Sequence, residues 1–139
     1  EININNSNLT KDLEVTFTNL STKKQYSVLA NNGSGHSRSF DVHIADKGFY
    51  KIVVKRSGYL SYTKENIEFT GEATFNAEIF PGDLDNNERV NIYDVSVILK
   101  YYGQNKSAMS DCDFNEDGII NANDISITVG NLGRRSIVE

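Results

Sequence analysis

One acidic pattern occurs twice in the C-terminal part of the chain. Residues 83–94 read DLDNNERVNIYD and residues 113–124 read DFNEDGIINAND, with oxygen-bearing side chains at positions 1, 3, 5, 9 and 12 of each loop. Calcium is a hard ion that takes about six to eight oxygen ligands, and position 7 of such a loop supplies its backbone carbonyl. The pattern therefore predicts one Ca²⁺ in each loop, two in total. The predicted ligands are Asp83, Asp85, Asn87, Arg89, Asn91 and Asp94 in the first loop, and Asp113, Asn115, Asp117, Ile119, Asn121 and Asp124 in the second.

An acidic, Asn-rich stretch that occurs once is easily explained as a solvated turn. Two copies in register, each followed by an apolar helical pattern, favour a metal site instead. Neither loop contains a His or Cys, so the ligand set suits calcium rather than zinc. Position 6 of such a loop normally holds Gly, as Gly118 does, because the chain turns there with a positive φ. The first loop has Glu88, so we expect the first site to be weaker or distorted.

The residues after each loop predict a helix, over 93–103 and again over 123–133. Val95, Ile98, Leu99 and Tyr102 follow the spacing of one buried helical face. An EF-hand also has a helix before its loop. Phe80-Pro81-Gly82 precedes the first loop and is expected to end a strand and break the chain. The repeated unit is therefore a loop followed by a helix, which excludes a sensor that opens by separating two helices.

Residues 1–80 have a different pattern, with short apolar–polar alternations separated by Gly- and Asn-rich turns. This pattern predicts strands at 13–20, 25–30, 39–45, 49–57, 59–69 and 73–80. Several short strands at this spacing favour an antiparallel sandwich. The sequence thus predicts two domains, an all-β one at 1–80 and a small all-α one at 81–139.

Charge and composition exclude several functions. The net charge of −5 lies entirely in residues 81–139, which hold five Lys/Arg and ten Asp/Glu, so no basic face for nucleic acid exists. No apolar run approaches the roughly 20 residues of a membrane span. His36 and His43 lie in the strand region without a catalytic motif around them, and we predict no enzymatic activity. A sugar-binding sandwich is disfavoured because Trp is absent, and Cys112 is expected to be a buried filler.

Two segments resemble known families. KGFYKIVVKRSGYLSYTKENIEFTGEATFNAEI (47–79) is similar to the second half of immunoglobulin-like sandwiches of the carboxypeptidase-regulatory type. The duplicated unit GDLDNNERVNIYDVSVILKYYG and CDFNEDGIINANDISITVGNLG resembles a dockerin, a calcium-folded module of bacterial cellulosomes that binds cohesins. A sandwich followed by this unit resembles an X-module–dockerin pair, which is typical of the type II arrangement of scaffoldins.

The resemblance implies a secreted, cellulosomal or cell-surface adaptor that forms a heterodimer with a cohesin, with type II favoured. Loop positions 10 and 11, often Ser-Thr in type I dockerins, are Ile92-Tyr93 and Ala122-Asn123 here. The alternative is the dockerin of a glycan-degrading enzyme that binds a type I-like cohesin. The helix faces predicted to contact the partner contain Tyr93, Ser96, Val97, Lys100 and Tyr101, and then Asn123, Ser126, Ile127, Gly130 and Asn131. Because the two sets differ, one docking orientation is expected to dominate.

Overall fold

The N-terminal part of the chain is built from two β-sheets. The computed structural model of the chain describes residues 2–4, 13–30, 37–38, 42, 44, 46–70 and 76–139. The larger sheet is antiparallel except at one edge and has the order β10-β7-β5-β2-β3. Its strands are β2 (Leu13–Asn19), β3 (Gln25–Ala30), β5 (Gly48–Lys55), β7 (Tyr62–Phe69) and β10 (Ile137–Val138). The smaller sheet contains β4 (Ser37–Arg38), β1 (Ile2–Ile4) and β8 (Ala77–Ile79), in that order.

The core of the sandwich follows from the alternation of side chains along these strands. Leu13, Val15 and Phe17 of β2 are buried, whereas the residues between them face outward. Ile52 and Val54 of β5 lie opposite Phe17 and Val15 and continue the same buried face. The all-β prediction for the N-terminal region is consistent with these sheets. The strand predicted at 39–45 lies largely outside the described residues, as do His36 and His43.

The C-terminal part contains two short helices, α1 (Ile92–Tyr101) and α2 (Ala122–Gly130), and a 3-10 helix at Ser110–Cys112. It also contains strands, so the prediction of a small all-α domain is wrong. Residues Pro81–Asp83 form β9, which pairs antiparallel with β6 (Gly58–Tyr59) of the sandwich. β10 lies near the C-terminus and runs parallel to β7. Helical periodicity is a local signal, whereas these pairings join residues far apart in sequence, and the sequence pattern therefore did not indicate them.

Pro81 and Gly82 do not break the chain as expected, because both are part of β9. Proline fits here because the two-stranded ribbon of β6 and β9 leaves its nitrogen on an edge. Gly82 has φ +130°, and a Cβ on it would lie 3.0 Å from the Val90 side chain. The junction between sandwich and helices is therefore packed too closely for any larger residue at this position.

The two loop–helix units are related by an approximate two-fold arrangement of backbone hydrogen bonds. In the first loop, the Val90 N–H donates to the Arg134 carbonyl at 3.0 Å, and the Val90 carbonyl accepts from Gly133 at 2.9 Å. Ile120 of the second loop pairs in the same way with Gln104 and Gly103, at 2.9 and 2.8 Å. Position 8 of each loop therefore pairs with the segment that follows the other unit's helix.

The C-terminal segment, residues 136–139, joins the loop–helix region to β7 of the sandwich, and its removal is expected to destabilise both parts. Ile137 packs against the core, Glu139 exchanges backbone hydrogen bonds with β7, and the Tyr62 hydroxyl donates to the Glu139 carboxylate. Deleting Ser136–Glu139 should lower the free energy of unfolding by roughly 3 kcal/mol, from lost apolar burial and lost hydrogen bonds. Urea unfolding of the full and shortened chains measures this difference, and equal midpoints would contradict it.

The same deletion has a spectroscopic signature. Burial, with the Glu139 hydrogen bond and charge, raises the pKa of Tyr62 to about 12. Because the pKa is raised in the folded state, this stabilisation is complete below the ordinary tyrosine pKa and is lost as the pH rises through about 12. Absorbance titration of tyrosinate should show one late-titrating tyrosine in the full chain that shifts towards the ordinary pKa in the shortened chain.

Candidate calcium loops and helical face

Each helix begins inside its loop. Asn91 is the N-cap of α1, where its side-chain oxygen accepts from the Tyr93 N–H, and the Asp94 carboxylate accepts in return from the Asn91 N–H at 2.8 Å. Asn121 and Asp124 form the same capping box at the start of α2. This arrangement satisfies backbone donors that a helix N-terminus leaves unpaired. The last four residues of each loop therefore fix both the loop and the direction of the helix.

The aspartate at position 12 also holds the beginning of its loop. Asp94 Oδ1 accepts from the backbone N–H groups of Leu84 and Asp85, at 2.8 and 3.2 Å. Asp124 Oδ1 accepts from Phe114 at 2.8 Å in the same way. Both aspartates are fully buried. A carboxylate has lone pairs for a metal beyond those used by these donors, so the capping role and a ligand role are compatible. This capping role was not predicted, although Asn-x-x-Asp has the three-residue spacing of a capping box, with Asp in place of the usual Glu or Gln.

The first loop brings its three carboxylates together. Asp83, Asp85 and Asp94 each offer an oxygen, and these oxygens lie within 4.8 Å of one another. The carboxylate of Asp83 is held in place by the N–H groups of Asn87 and Glu88, both at 3.0 Å. Such closeness suits a divalent cation with oxygen ligands.

The second loop repeats this construction with one informative difference. The Gly118 N–H donates to Asp113 Oδ2 at 2.9 Å, as Glu88 does to Asp83. The other oxygen of Asp113 is buried and has no hydrogen-bond partner within the protein. Asn115 and Asp117 lie beside it, joined by a 3.1 Å hydrogen bond. A buried carboxylate oxygen without a partner is costly, and a cation would satisfy it. The residues of this loop therefore fit a bound metal.

The electrostatics of the loops also favour a cation. Burial raises the pKa of Asp83 to about 6, and the nearby charges of Asp94 and Glu88 act in the same direction. Burial likewise raises the pKa values of Asp94 and Asp124. In contrast, the pKa of the exposed Asp117 is lowered, chiefly by a hydrogen bond from the Ile119 N–H. Ionised aspartates at the buried positions are thus disfavoured in the protein alone, and a divalent ion would offset that cost.

Positions 7 and 9 of the loops also have definite places. The side chains of Arg89 and Ile119 at position 7 are exposed, which leaves only their backbone carbonyls as candidate ligands. Asn91 and Asn121 at position 9 are the helix N-caps. The position-9 asparagines therefore share with Asp94 and Asp124 a structural role at the helix N-termini that does not require a metal.

Glu88 does not distort the first loop. It adopts φ +66°, close to the +93° of Gly118, and donates the equivalent hydrogen bond. Left-handed backbone at a non-Gly residue costs about 1–2 kcal/mol. The Glu88 carboxylate accepts from the Ser61 N–H at 3.2 Å, the Ser61 hydroxyl at 2.8 Å and the Ser136 hydroxyl. Hydrogen bonds to a charged group contribute about 1.5–3 kcal/mol each, which offsets the strain.

The sandwich also contacts the second unit. The Ser57 hydroxyl donates to Asp111 at 2.6 Å, and the Tyr59 ring meets Phe114 edge-on at 6.0 Å. At the other end, Asn131 Nδ2 donates to the Pro81 carbonyl at 2.9 Å. Both loop–helix units are therefore held against the sandwich by side-chain contacts.

One side of the two helices is exposed and rich in apolar groups. The α1 residues Ile92 and Leu99 are exposed at helical spacing, and Val129 of α2 occupies the position equivalent to Leu99. Tyr102 and Leu132 extend this side at the helix ends. The exposure of Leu99 and Tyr102 differs from the sequence prediction, which placed them on a buried helical face, and the equivalent α2 residues Val129 and Leu132 are exposed as well. We define the helical face as Ile92, Ser96, Leu99 and Tyr102 with Ala122, Ser126, Val129 and Leu132, all of which are exposed.

The predicted partner-binding residues divide into two groups. Exposed side chains occur at Tyr93, Ser96, Lys100, Asn123 and Ser126, and Gly130 is also exposed. Val97, Tyr101 and Ile127 are instead half-buried and pack against the core, while Asn131 is engaged with Pro81. The predicted partner-binding side of each helix is therefore only partly exposed, because some of its side chains pack inside the protein.

The thiol of Cys112 is expected to be unreactive. Its side chain is fully buried, and burial, with nearby carboxylates, raises its pKa to about 12. At pH 8 only about one thiol in 10,000 would be ionised. Alkylation by iodoacetamide should therefore be negligible in the folded protein and rapid after denaturation in guanidinium. Equal rates in the two states would contradict the burial.

The C-terminal region matches a known family. Residues 81–132 match the model of the Dockerin type I domain family, which covers both loops and both helices. Residues 81–132 are a dockerin. Dockerins bind calcium generally, and the carboxylates of the first dockerin loop form a cluster suited to it. No curated protein sequence matches the chain.

The whole chain has the fold of an X-module–dockerin pair. It is similar to two crystal structures of the type II cohesin–X-dockerin complex from Acetivibrio cellulolyticus, one an N-terminal and one a C-terminal interface mutant. Both are 19% identical to it, with TM-scores of 0.68 and 0.66. The alignments cover 96% of this chain in each case, and 93% and 94% of the other chains. X-modules and dockerins are non-catalytic binding modules. Within the described residues, no helix is long and apolar enough to cross a membrane.

Proposed function

We propose that this chain is a non-catalytic, calcium-dependent adaptor whose dockerin binds a cohesin, with type II favoured. The observation that carries the proposal is the similarity of the whole chain, sandwich included, to the X-dockerin of type II cohesin complexes. The proposed domains are an X-module at 1–80 and the dockerin at 81–139. The pair anchors a scaffoldin, outside the cell, in the cellulosome or on the cell surface.

Two calcium ions complete the dockerin in this account, one in each loop. Each ion would be held by the side chains at positions 1, 3, 5, 9 and 12 and by the carbonyl at position 7. Bound calcium neutralises carboxylates that otherwise repel one another. Asp94 and Asp124 are at once proposed ligands and capping residues, so metal binding at either loop stabilises the helix that follows it. The binding free energy of the metal thus contributes to folding.

The helical face is the proposed contact surface for the cohesin. It joins aliphatic side chains on α1 and α2 around a central serine on each helix, Ser96 and Ser126. Exposed apolar groups of this kind, rimmed by polar residues, are typical of protein interfaces. Tyr93 is 68% exposed and stands at one border of the face, with Lys100 on the same side. Asn123 and Gly130 occupy the equivalent border of α2.

The X-module has a supporting role in this proposal. Its contacts with Glu88, Asp111 and Phe114 bury parts of the dockerin that would otherwise meet water. It therefore stiffens the dockerin. The same contacts break the two-fold symmetry of the dockerin, since the sandwich lies against different groups on each unit.

A second candidate is the dockerin of a glycan-degrading enzyme that binds a type I-like cohesin. The match of residues 81–132 to the type I family model favours it. The two candidates differ in their partner, so a panel of purified cohesins separates them. In native gel electrophoresis with calcium, type II cohesins should shift the band of this chain, and type I cohesins should not. A shift with type I cohesins alone would establish the second candidate instead.

A further inference from the structure

Glu88 stands where the first calcium loop, the sandwich and the C-terminal segment meet. Its N–H donates to the position-1 ligand Asp83, and its carbonyl accepts from the Ser136 N–H at 3.1 Å. Its carboxylate accepts from both the N–H and the hydroxyl of Ser61, a nearly buried residue directly before β7. The hydroxyl of Ser136, directly before β10, donates to the same carboxylate oxygen.

The second loop has no such connection, although its backbone is the same. Gly118 occupies the equivalent position with a positive φ, and a Cβ on it would meet nothing within 4 Å. Its carbonyl accepts from the Lys106 N–H at 3.0 Å, as that of Glu88 accepts from Ser136. The approximate symmetry of the dockerin is thus broken at position 6, where the first loop carries a side chain to the sandwich and the second loop has none.

Glu88 keeps a left-handed backbone conformation, which indicates that its side chain makes interactions that Gly could not make. A non-Gly residue keeps such a conformation only where the surroundings fix it, and here Gly would relieve the strain. The groups that hold the Glu88 carboxylate belong to the sandwich and to the C-terminal segment, not to the loop. Conversely, the backbone of Glu88 is held by the Asp83 carboxylate, whose place depends on the metal site.

We propose that Glu88 is a positioning residue that couples calcium binding at the first dockerin loop to the seating of the X-module and of β10. When the first loop is ordered around its ion, the Glu88 carboxylate is presented to Ser61 and Ser136. When the sandwich and β10 are seated, the same hydrogen bonds order the loop for its ion. Such coupling is reciprocal. The inference rests on the calcium binding of the proposed function, but it requires no cohesin.

Hydrogen exchange of the whole chain tests the coupling. In the unmodified protein, calcium should slow the exchange of the amides in β7 and β10 by at least about tenfold. Asp85→Ala, which removes an exposed ligand of the first loop, should abolish this effect. Asp117→Ala, which removes an exposed carboxylate from position 5 of the second loop, should largely preserve it. In Glu88→Gly, calcium should still protect α1 but no longer β7 and β10.

Calcium affinity gives a second readout. The coupling and a simple strain effect predict opposite changes in the calcium affinity of Glu88→Gly. In the Asp117→Ala background, only the first loop remains to be titrated. If Glu88 acted only through strain, Glu88→Gly would bind calcium more tightly. The coupling predicts binding weaker by at least about tenfold, with Ser61→Ala intermediate.

Two outcomes would overturn the proposal in different ways. Undiminished calcium protection of β7 and β10 in Glu88→Gly, with equal or tighter calcium binding, would remove the coupling and leave the proposed function intact. No response to calcium anywhere in the unmodified chain would remove the calcium-dependent function itself, and the coupling with it.

Discussion

Asp94→Ala should lower the free energy of unfolding in calcium by roughly 3–5 kcal/mol. The change removes a proposed metal ligand and the capping box of α1, and leaves the N–H groups of Leu84, Asp85 and Asn91 without their acceptor. Loss of a cap costs about 1 kcal/mol. The buried Leu84 N–H left unpaired costs about 1–3 kcal/mol more, and the part-buried N–H groups of Asp85 and Asn91 together about 1 kcal/mol. Urea unfolding followed by circular dichroism measures the loss.

Asp85→Ala is the matched control. Asp85 belongs to the same carboxylate cluster, but it is exposed, and its carboxylate accepts only from Asn87. Its removal should weaken calcium binding while costing clearly less stability than Asp94→Ala. Equal losses for the two variants would mean that position 12 acts as a ligand alone and that its capping hydrogen bonds contribute little.

The double substitution Leu99→Gln with Val129→Gln should weaken cohesin binding by about a hundredfold or more. The two residues occupy equivalent places on the helical face. Burying such a pair in an interface core is worth about 3 kcal/mol or more, and each 1.4 kcal/mol is a tenfold change in Kd. Gln is compatible with a helix. Because both side chains are exposed, the unfolding free energy in calcium should change by only about 0.5 kcal/mol.

Leu29→Gln with Phe49→Gln is the control for that experiment. Leu29 on β3 is 53% exposed, close to the 58% of Leu99, but it lies on the sandwich. The control pair should leave cohesin affinity unchanged. If it weakened binding as much as the helical pair, the contact surface would lie on the X-module. Surface plasmon resonance with an immobilised cohesin compares all variants under the same conditions.

The loops and helices could be predicted because their signals are local. Ligand positions, the glycine at position 6 and the helical periodicity all lie within about twenty consecutive residues. The capping boxes are also local features of the sequence, since they join Asn91 with Asp94 and Asn121 with Asp124. The assignment of these residues to two calcium ions stays a prediction, supported by the carboxylate cluster and by the unpartnered oxygen of Asp113.

The division between buried and exposed sides of the helices could not be predicted, because it depends on how the helices pack against each other, β9 and the 3-10 helix. Val97 and Tyr101 were expected to contact the partner, because they are exposed-side apolar and aromatic residues in the sequence pattern, yet they pack against the core. Leu99 follows the apolar spacing of a core residue, yet it is exposed. The expectation of one docking orientation rested on the contrast of Tyr93, Val97 and Tyr101 with their counterparts. With two of them half-buried, that contrast is reduced to the border of the helical face.

The errors about strands have the same origin. Pro81–Asp83 pairs with β6, and β10 pairs with β7, which lies more than sixty residues earlier in the chain. Neither segment has the length or alternation that identifies a strand from sequence. Glu88 illustrates the limit most clearly, since its departure from Gly suggested a distorted site. The compensating hydrogen bonds come from Ser61 and Ser136, residues that no local pattern connects to the loop.

The most direct test of the account is calorimetric titration of the whole chain with a type II cohesin, in calcium and again in excess EDTA. The account predicts tight one-to-one binding in calcium that disappears in EDTA, because the helical face is presented only when the loops hold their ions. Binding of equal strength in EDTA would contradict the calcium dependence. Absence of binding in calcium, with the chain shown to be folded, would contradict the type II assignment.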